Sequence, residues 1–164
     1  MSKETVFGSI PHCDGGSTPK SFIKGMFGIG ADPRRIYDLL FTDRRIVRAK
    51  LSDGIMEAAG NPFKVLAAGI NDLKRFKTGE HDSYVEQREK YNNMSIQQVI
   101  ESDKWNVTIN YSDINKISLL VTAGKKMVHV KFETSEKEHF YFFPAEFLDR
   151  AQQLIILALY YFSL

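Results

Sequence analysis

Four basic residues near the start of the chain are the best candidates to bind a ligand: Arg34, Arg35, Arg48 and Lys50. A two-residue turn at 43–44, between two strand-like runs, predicts a tight hairpin. In that register Lys50 lies opposite Tyr37 and Arg48 lies opposite Leu39, which gathers the cations at the open end of the hairpin. Such a cluster could hold an anionic ligand. The alternative is a solvated strand face, because charged side chains mostly remain in water.

A second group of residues could support metal or nucleophilic chemistry: His12, Cys13, Asp14, His81 and Asp82. Both chemistries need an imidazole near a thiolate or a carboxylate. Neither histidine has a partner four residues later and the sequence holds no Cys-x-x-Cys pair, so we predict no catalytic residue, no metal and no cofactor. An enzyme that uses Cys13, His12 or His81 in a pocket is the alternative.

The end of the chain carries the third candidate, a long helix that Pro144 opens. One stripe of this helix is predicted to pack on a sheet: Phe147, Ala151, Leu154, Ala158 and Phe162. Further apolar residues remain on its other side: Ile156, Leu157, Tyr160 and Tyr161. An exposed apolar face with aromatic residues indicates a subunit interface or a partner contact. The alternative is that a helix predicted over residues 62–77 covers it.

The hydrophobic period changes twice along the chain, which predicts an α+β fold. Residues 36–42 and 45–51 form the hairpin, and a three-stranded meander follows within residues 105–143, after which the terminal helix closes the sheet. Residues 9–21 are rich in Gly, Ser and Pro and are predicted to be loop, followed by a weak strand over 22–30.

Residues 52–104 are predicted to be a helical insertion between the hairpin and the meander. A polar helix is expected over residues 81–91. A short helix should follow Ser95, because Ser95 and Gln98 have the spacing of a capping box, and it should end by Asp103.

Two short motifs, residues 40–47 (LFTDRRIV) and 109–117 (INYSDINKI), resemble the prokaryotic pleckstrin-homology-like (PH-like) domain family. In that family a hairpin reading roughly L-T-D-(K/R)-R-hydrophobic precedes a Tyr-x-Asp-Ile strand turn. A terminal helix then closes one end of a strongly bent antiparallel sheet. The resemblance implies a PH-like split barrel, with residues 1–164 as a single domain. Taken by themselves the motif residues have structural roles, with Asp43 holding the turn and Tyr111 and Ile114 packing inward.

The resemblance also bears on the four cations. Members of the wider pleckstrin-homology class that bind phosphoinositides use basic residues on the first two strands, around the loop that joins them. Here that loop has two residues and the cations lie at the opposite end of the hairpin.

Composition limits the class of protein. The chain has 164 residues, a net charge of +2 and one Cys, which excludes collagen, disulfide scaffolds and disordered chains. The lone Cys and the lack of a secretory pattern in residues 1–20 predict a cytoplasmic location. No nucleic acid is expected as a partner, because Glu136 and Glu138 accompany the aromatic residues of the last predicted strand.

We therefore expect a non-catalytic cytoplasmic binding module. Its partner would be a protein, a second copy of the chain or, at its basic end, an anionic membrane surface. One alternative is a small-molecule-binding or hydrolytic enzyme with a pocket between the insertion and the sheet. The other is a structural subunit that assembles through the terminal helix.

Overall fold

The fold is α+β, with one antiparallel sheet and a C-terminal helix, in a computed structural model that describes residues 4–16, 35–52, 82–122 and 126–162. Its seven strands are β1 (Val6–Gly16), β2 (Arg35–Thr42), β3 (Arg45–Ser52), β4 (Val107–Asn110), β5 (Ile114–Val121), β6 (Met127–Thr134) and β7 (Glu138–Pro144). Their order in the sheet is β4-β3-β2-β1-β7-β6-β5. The two edge strands, β4 and β5, are therefore consecutive in the chain.

The predicted hairpin and meander are confirmed. Strands β2 and β3 pair antiparallel around a two-residue turn, and β5, β6 and β7 pair in sequence order. The residue that holds the hairpin turn is Thr42, whose hydroxyl accepts the backbone N–H groups of Arg44 and Arg45 at 3.2 and 3.0 Å. The Asp43 carboxylate, expected to hold this turn, instead accepts the backbone N–H of Thr5 at 3.1 Å.

The prediction of a loop over residues 9–21 was wrong for residues 9–16, which belong to β1. This strand lies between β2 and β7 and joins the hairpin to the meander. Its register shifts twice, and His12 takes a positive φ of 56° within the second irregular stretch. These bulges break the alternation of apolar and polar residues by which a strand is recognised in a sequence. The weak strand predicted over residues 22–30 lies outside the described residues.

Three α-helices are described: α1 (Asp82–Asn92), α2 (Ile96–Ser102) and α3 (Leu148–Phe162). The polar helix and the capped helix of the insertion are thus confirmed, and the Ser95 and Gln98 side chains form the expected capping box. The terminal helix begins later than Pro144, after a 3-10 turn at Ala145–Phe147. The helix predicted over residues 62–77 lies outside the described residues.

The sheet buries apolar residues on both faces because successive side chains of a strand point to opposite sides. On β3, Ile46 belongs to the larger core. Helix α3 covers this core with its residues Ala151, Leu154 and Ala158. The residues that alternate with it belong to a second core beneath α1 and α2: Val47, Ala49 and Leu51, with Tyr91, Ile96 and Val99 from the helices. The predicted buried stripe of α3 is confirmed at those three positions. The Phe162 side chain lies outside the described residues.

Candidate functional site

The structure brings three of the four predicted cations together at the open end of the β2–β3 hairpin. The predicted register is confirmed, with Lys50 opposite Tyr37 and Arg48 opposite Leu39. Arg35 begins β2, while Arg34 lies outside the described residues. The sequence therefore located this basic end of the molecule, which we call the cationic end (Arg35, Arg48 and Lys50).

Contacts within the protein engage each residue of the cationic end. Lys50 Nζ lies 3.0 Å from Asp103 Oδ2, and the Lys50 side chain is only 13% exposed. The guanidinium carbon of Arg35 lies 3.5 Å from the centre of the Trp105 ring, a cation–π contact. Arg48 donates from Nε and Nη2 to the Trp105 carbonyl oxygen at 3.2 and 2.8 Å. The cations therefore fasten the segment between α2 and β4 to the hairpin.

Asn106 completes this attachment from the interior. Its Oδ1 accepts the backbone N–H of Lys50 at 2.7 Å, and its Nδ2 donates to the Val99 carbonyl at 2.6 Å. The Tyr91 hydroxyl donates to the Lys50 carbonyl at 2.7 Å. Burial alone would raise the pKa of Asp103, but the Trp105 backbone N–H and Lys50 hold that pKa below its ordinary value.

Arg48 also borders a group of buried polar side chains. Its guanidinium carbon lies 4.5 Å from the centre of the Tyr37 ring. Two residues of β7, His139 and Tyr141, are 8% and 1% exposed. Arg48 lies close enough to both that its positive charge lowers their pKa values. Burial, helped by Lys137 and Arg48, lowers the pKa of His139 to about 4, so its imidazole is neutral at pH 7.

A cavity of about 300 Å³ opens beside His139. Its walls come from edge strand β4 and from the β6–β7 turn, and its polar lining includes Thr108, Asn110, Thr134, Ser135, Lys137 and His139. These side chains supply both hydrogen-bond donors and hydrogen-bond acceptors, so the cavity suits a small polar ligand.

The outer face of α3 has a different character. We use this name for four exposed apolar residues: Ile156, Leu157, Leu159 and Tyr160. Ile156 and Tyr160 are 65% and 64% exposed, whereas Leu157 and Leu159 are 43% and 46% exposed. Three of the four predicted residues thus lie where the sequence placed them. The Tyr161 side chain lies outside the described residues.

Cys13 and His12, the two central residues of the predicted Cys–His alternative, lie in different surroundings. Cys13 is fully buried in the larger core, and its Sγ donates to the Ile10 carbonyl at 3.4 Å. The ring of His12 packs edge-on against Tyr84 of α1, with ring centres 5.8 Å apart. His81 lies outside the described residues, as do the side chains of Asp14 and Asp82.

Next to His12 lies a buried ion pair that sequence reasoning missed. Asp38, 5% exposed, receives Arg88 Nε and Nη2 at 2.6 and 2.8 Å and also the backbone N–H of His12 at 3.1 Å. Burial and Arg88 lower the pKa of His12, while Asp38 opposes them. The pair fastens α1 to the sheet across 50 residues of sequence, a separation at which no local pattern could reveal it.

Within the described ranges, no group of three His, Cys, Asp or Glu side chains could hold a metal ion, and no helix is long and apolar enough to cross a membrane. Comparison with known proteins found no matching family model, no matching curated protein and no matching solved structure.

Proposed function

We propose that this chain is a cytoplasmic, non-catalytic binding module of PH-like architecture that associates with a second copy of itself through the outer face of α3. The observation that carries the proposal is the exposure of Ile156 and Tyr160, at 65% and 64%, on a helix whose opposite stripe is already buried in the core. Exposed apolar area of this kind is typical of an interface.

Three observations support the PH-like part of the proposal. The two motifs that carry the resemblance meet in space, since the Tyr111 hydroxyl donates to the Thr42 carbonyl at 2.8 Å. In addition, edge strand β4 and the β6–β7 turn line one cavity although β4 and β6 lie far apart in the strand order, an arrangement that suits a strongly bent sheet. Helix α3 packs against β1 and β2, as a closing helix would.

The lack of charged residues over positions 151–162 favours a second copy of the chain as the binding partner of the outer face of α3. Residues 151–162 contain no Asp, Glu, Lys or Arg. In a two-fold contact each residue meets the same surface on the partner, so a charged face would place like charges together. An uncharged apolar face meets no such repulsion and is compatible with self-association.

The solution mass tests this proposal. Sedimentation equilibrium of the parent is expected to give a mass above 18.8 kDa that falls on dilution, whereas Ile156→Glu and Tyr160→Glu should give monomers. Asn92→Glu is the matched control, because it adds the same charge at an exposed position of a different helix, α1, and should keep the parent's mass. A monomeric parent, or variants that keep its mass, would refute the self-association.

The competing functions receive less support from the same contacts. A flat anionic membrane needs cations that reach outward, yet Lys50 and Arg48 are engaged by Asp103 and by the Trp105 carbonyl. A nucleophilic enzyme needs an accessible thiolate, yet Cys13 is fully buried. Slow alkylation of Cys13 in the folded protein, with no loss of self-association after Cys13→Ser, would agree with the non-catalytic function.

A further inference from the structure

The cavity of about 300 Å³ between β4 and the β6–β7 turn reaches from the surface into the interior of the sheet. Two of the residues that line it, Ile109 and His139, are 2% and 8% exposed. Three charged residues that line it, Asp113, Glu136 and Lys137, are exposed. The volume lies at the lower end of the range for ligand cavities in proteins, so the cavity has room for a small molecule.

His139 is a buried polar residue that lines this cavity. Within the described residues its imidazole makes no hydrogen bond, and burial together with the charges of Lys137 and Arg48 lowers its pKa. A neutral imidazole has one N–H donor and one acceptor nitrogen. Because buried polar groups are nearly always hydrogen-bonded, a molecule in the cavity that bonds to His139 would satisfy this residue.

The three exposed charged residues of the cavity carry charges of both signs. Glu136 and Lys137 are neighbours in the β6–β7 turn. Asp113 comes directly before Ile114, which pairs with Thr134 at the start of that turn. Among the described residues, none of the three charged side chains takes part in an ion pair. Their charges are therefore available to a ligand.

The charged residues on the opposite face of the same strands are arranged differently. There Lys131 contacts the carboxylate of Glu133, and its Nζ lies 3.3 Å from Glu138 Oε1. Opposite charges of this hairpin thus pair with each other away from the cavity, which sets the charged residues of the cavity apart.

A metal ion does not fit the cavity. Asp113, Glu136 and His139 are of types that bind metals, yet no three His, Cys, Asp or Glu side chains of the described ranges lie close enough together to hold one. A simple anion is also a poor match, since two carboxylates and one lysine line the cavity. A molecule that carries a cationic group and an anionic group can meet charges of both signs.

We propose that this cavity binds a free amino acid. The ammonium group of the amino acid lies toward Asp113 and Glu136, and its carboxylate lies toward Lys137. Hydrogen bonds that involve an ionised group are about twice as strong as neutral ones, so these two ends supply most of the affinity. His139 and the Thr108 hydroxyl add neutral hydrogen-bonding groups. The site is separate from the outer face of α3 and stands even if self-association fails.

Calorimetric titration of the full chain at pH 7 with each standard L-amino acid tests this site. We expect saturable binding of at least one of them. Ethanolamine lacks the carboxylate and acetate lacks the ammonium group, so both should bind about tenfold more weakly or worse. Saturable binding of no amino acid, or binding of ethanolamine or acetate as tight as that of the best amino acid, would overturn the proposal.

Two variants remove one charge each from the cavity. Asp113→Asn retains an acceptor for Asn110 and Ser112, whose side chains donate to the Asp113 carboxylate at 2.9 and 3.1 Å. Lys137→Met keeps most of the side-chain stem. Each variant should bind the amino acid about tenfold more weakly or worse, because a hydrogen bond to a charged group is lost.

Matched controls are Asp149→Asn on α3 and Lys126→Met directly before β6, which remove the same charges at exposed positions outside the cavity. Both should bind as the parent does. Circular dichroism of every variant establishes that it is folded, as expected because Asp113 and Lys137 are exposed. A folded Asp113→Asn or Lys137→Met variant that binds as tightly as the parent would contradict the site.

The amide spectrum of ¹⁵N-labelled protein locates the bound amino acid. Its addition should shift the signals of Thr108, Asn110 and Ser135, which line the cavity. Shifts concentrated at residues 156–160 instead would place the ligand on the outer face of α3 and would refute this site without bearing on self-association.

Discussion

The cationic end and the outer face of α3 are both surface features that the sequence marks out, but their side chains are used differently. At the cationic end, Lys50 is 13% exposed and lies 3.0 Å from Asp103. On the outer face of α3, Ile156 is 65% exposed. The charged residues therefore make contacts within the fold, whereas Ile156 exposes most of its side chain to solvent.

This difference reverses a common expectation, in which exposed charge indicates a ligand and an apolar helix indicates a core. A cation that is held by the protein contributes to stability, and its removal should weaken the fold. An exposed apolar side chain contributes little to stability, and its replacement should leave the fold intact. Measuring the free energy of unfolding therefore separates the two regions.

The largest expected effect concerns His139, which borders Arg48 from the interior. Its pKa is about 4 in the folded protein and about 6.5 when unfolded, so between these values the unfolded chain binds more protons. The free energy of unfolding should thus fall as the pH drops from about 6.5 to 4, by up to about 3 kcal/mol. Urea denaturation at pH 7 and pH 4.5 measures this loss.

His139→Gln is the control for that pH dependence. It removes the titrating ring, so the loss between pH 6.5 and 4 should shrink to what His12 and His129 contribute, because burial lowers their pKa values as well. The depressed pKa values of Glu4 and Asp103 act at lower pH, because a carboxylate with a lowered pKa contributes stability that is lost only as the pH falls through that value. An unchanged slope in His139→Gln would contradict the assignment to His139.

Arg48→Ala should have the next largest effect at pH 7. It removes two charge-assisted hydrogen bonds to the Trp105 carbonyl and the contact with Tyr37, and we expect a loss of about 2 kcal/mol in the free energy of unfolding. Equilibrium unfolding in urea measures it. Stability equal to that of the parent would show that Arg48 does not fasten the Trp105 segment.

Lys50→Ala should cost less, about 1 kcal/mol, because the Asp103 partner remains partly exposed to water. A double-mutant cycle with Asp103→Ala isolates the pair from the packing of the lysine stem. We expect the two single losses to sum to more than the loss in the double variant. Strict additivity would mean that the 3.0 Å contact contributes no coupling.

Ile156→Glu should have the smallest effect on the fold of the monomer, less than about 0.5 kcal/mol, because an exposed helix position tolerates a good helix former. Measuring unfolding at protein concentrations low enough to keep the parent monomeric removes any contribution from association. A loss near that of Arg48→Ala would place Ile156 in the packed interior and would erase the contrast between the two regions.

The elements that the sequence predicted correctly are those with local signals. The β2–β3 register follows from a two-residue turn, the α2 cap from Ser95 and Gln98, and the buried stripe of α3 from helical spacing. Each signal lies within a few residues of the structure that it specifies, so no knowledge of the rest of the fold is needed.

The elements that the sequence did not predict depend on distant or irregular contacts. Strand β1 contains two register shifts and the positive φ of His12, so its sequence pattern is typical of a loop. Only its pairing with β2 and β7 identifies it as a strand. Three of the four cations lie at the predicted end of the hairpin, but their partners Asp103 and Trp105 are more than 50 positions away in the sequence.

The most direct test of the central claim, contact through the outer face of α3, is the amide spectrum of ¹⁵N-labelled protein recorded from high to low concentration. We expect concentration-dependent shifts concentrated at residues 156–160, with little change at residues 35–50, and a loss of these shifts in Tyr160→Glu. Shifts concentrated at the cationic end, or a spectrum that does not change with concentration, would contradict it.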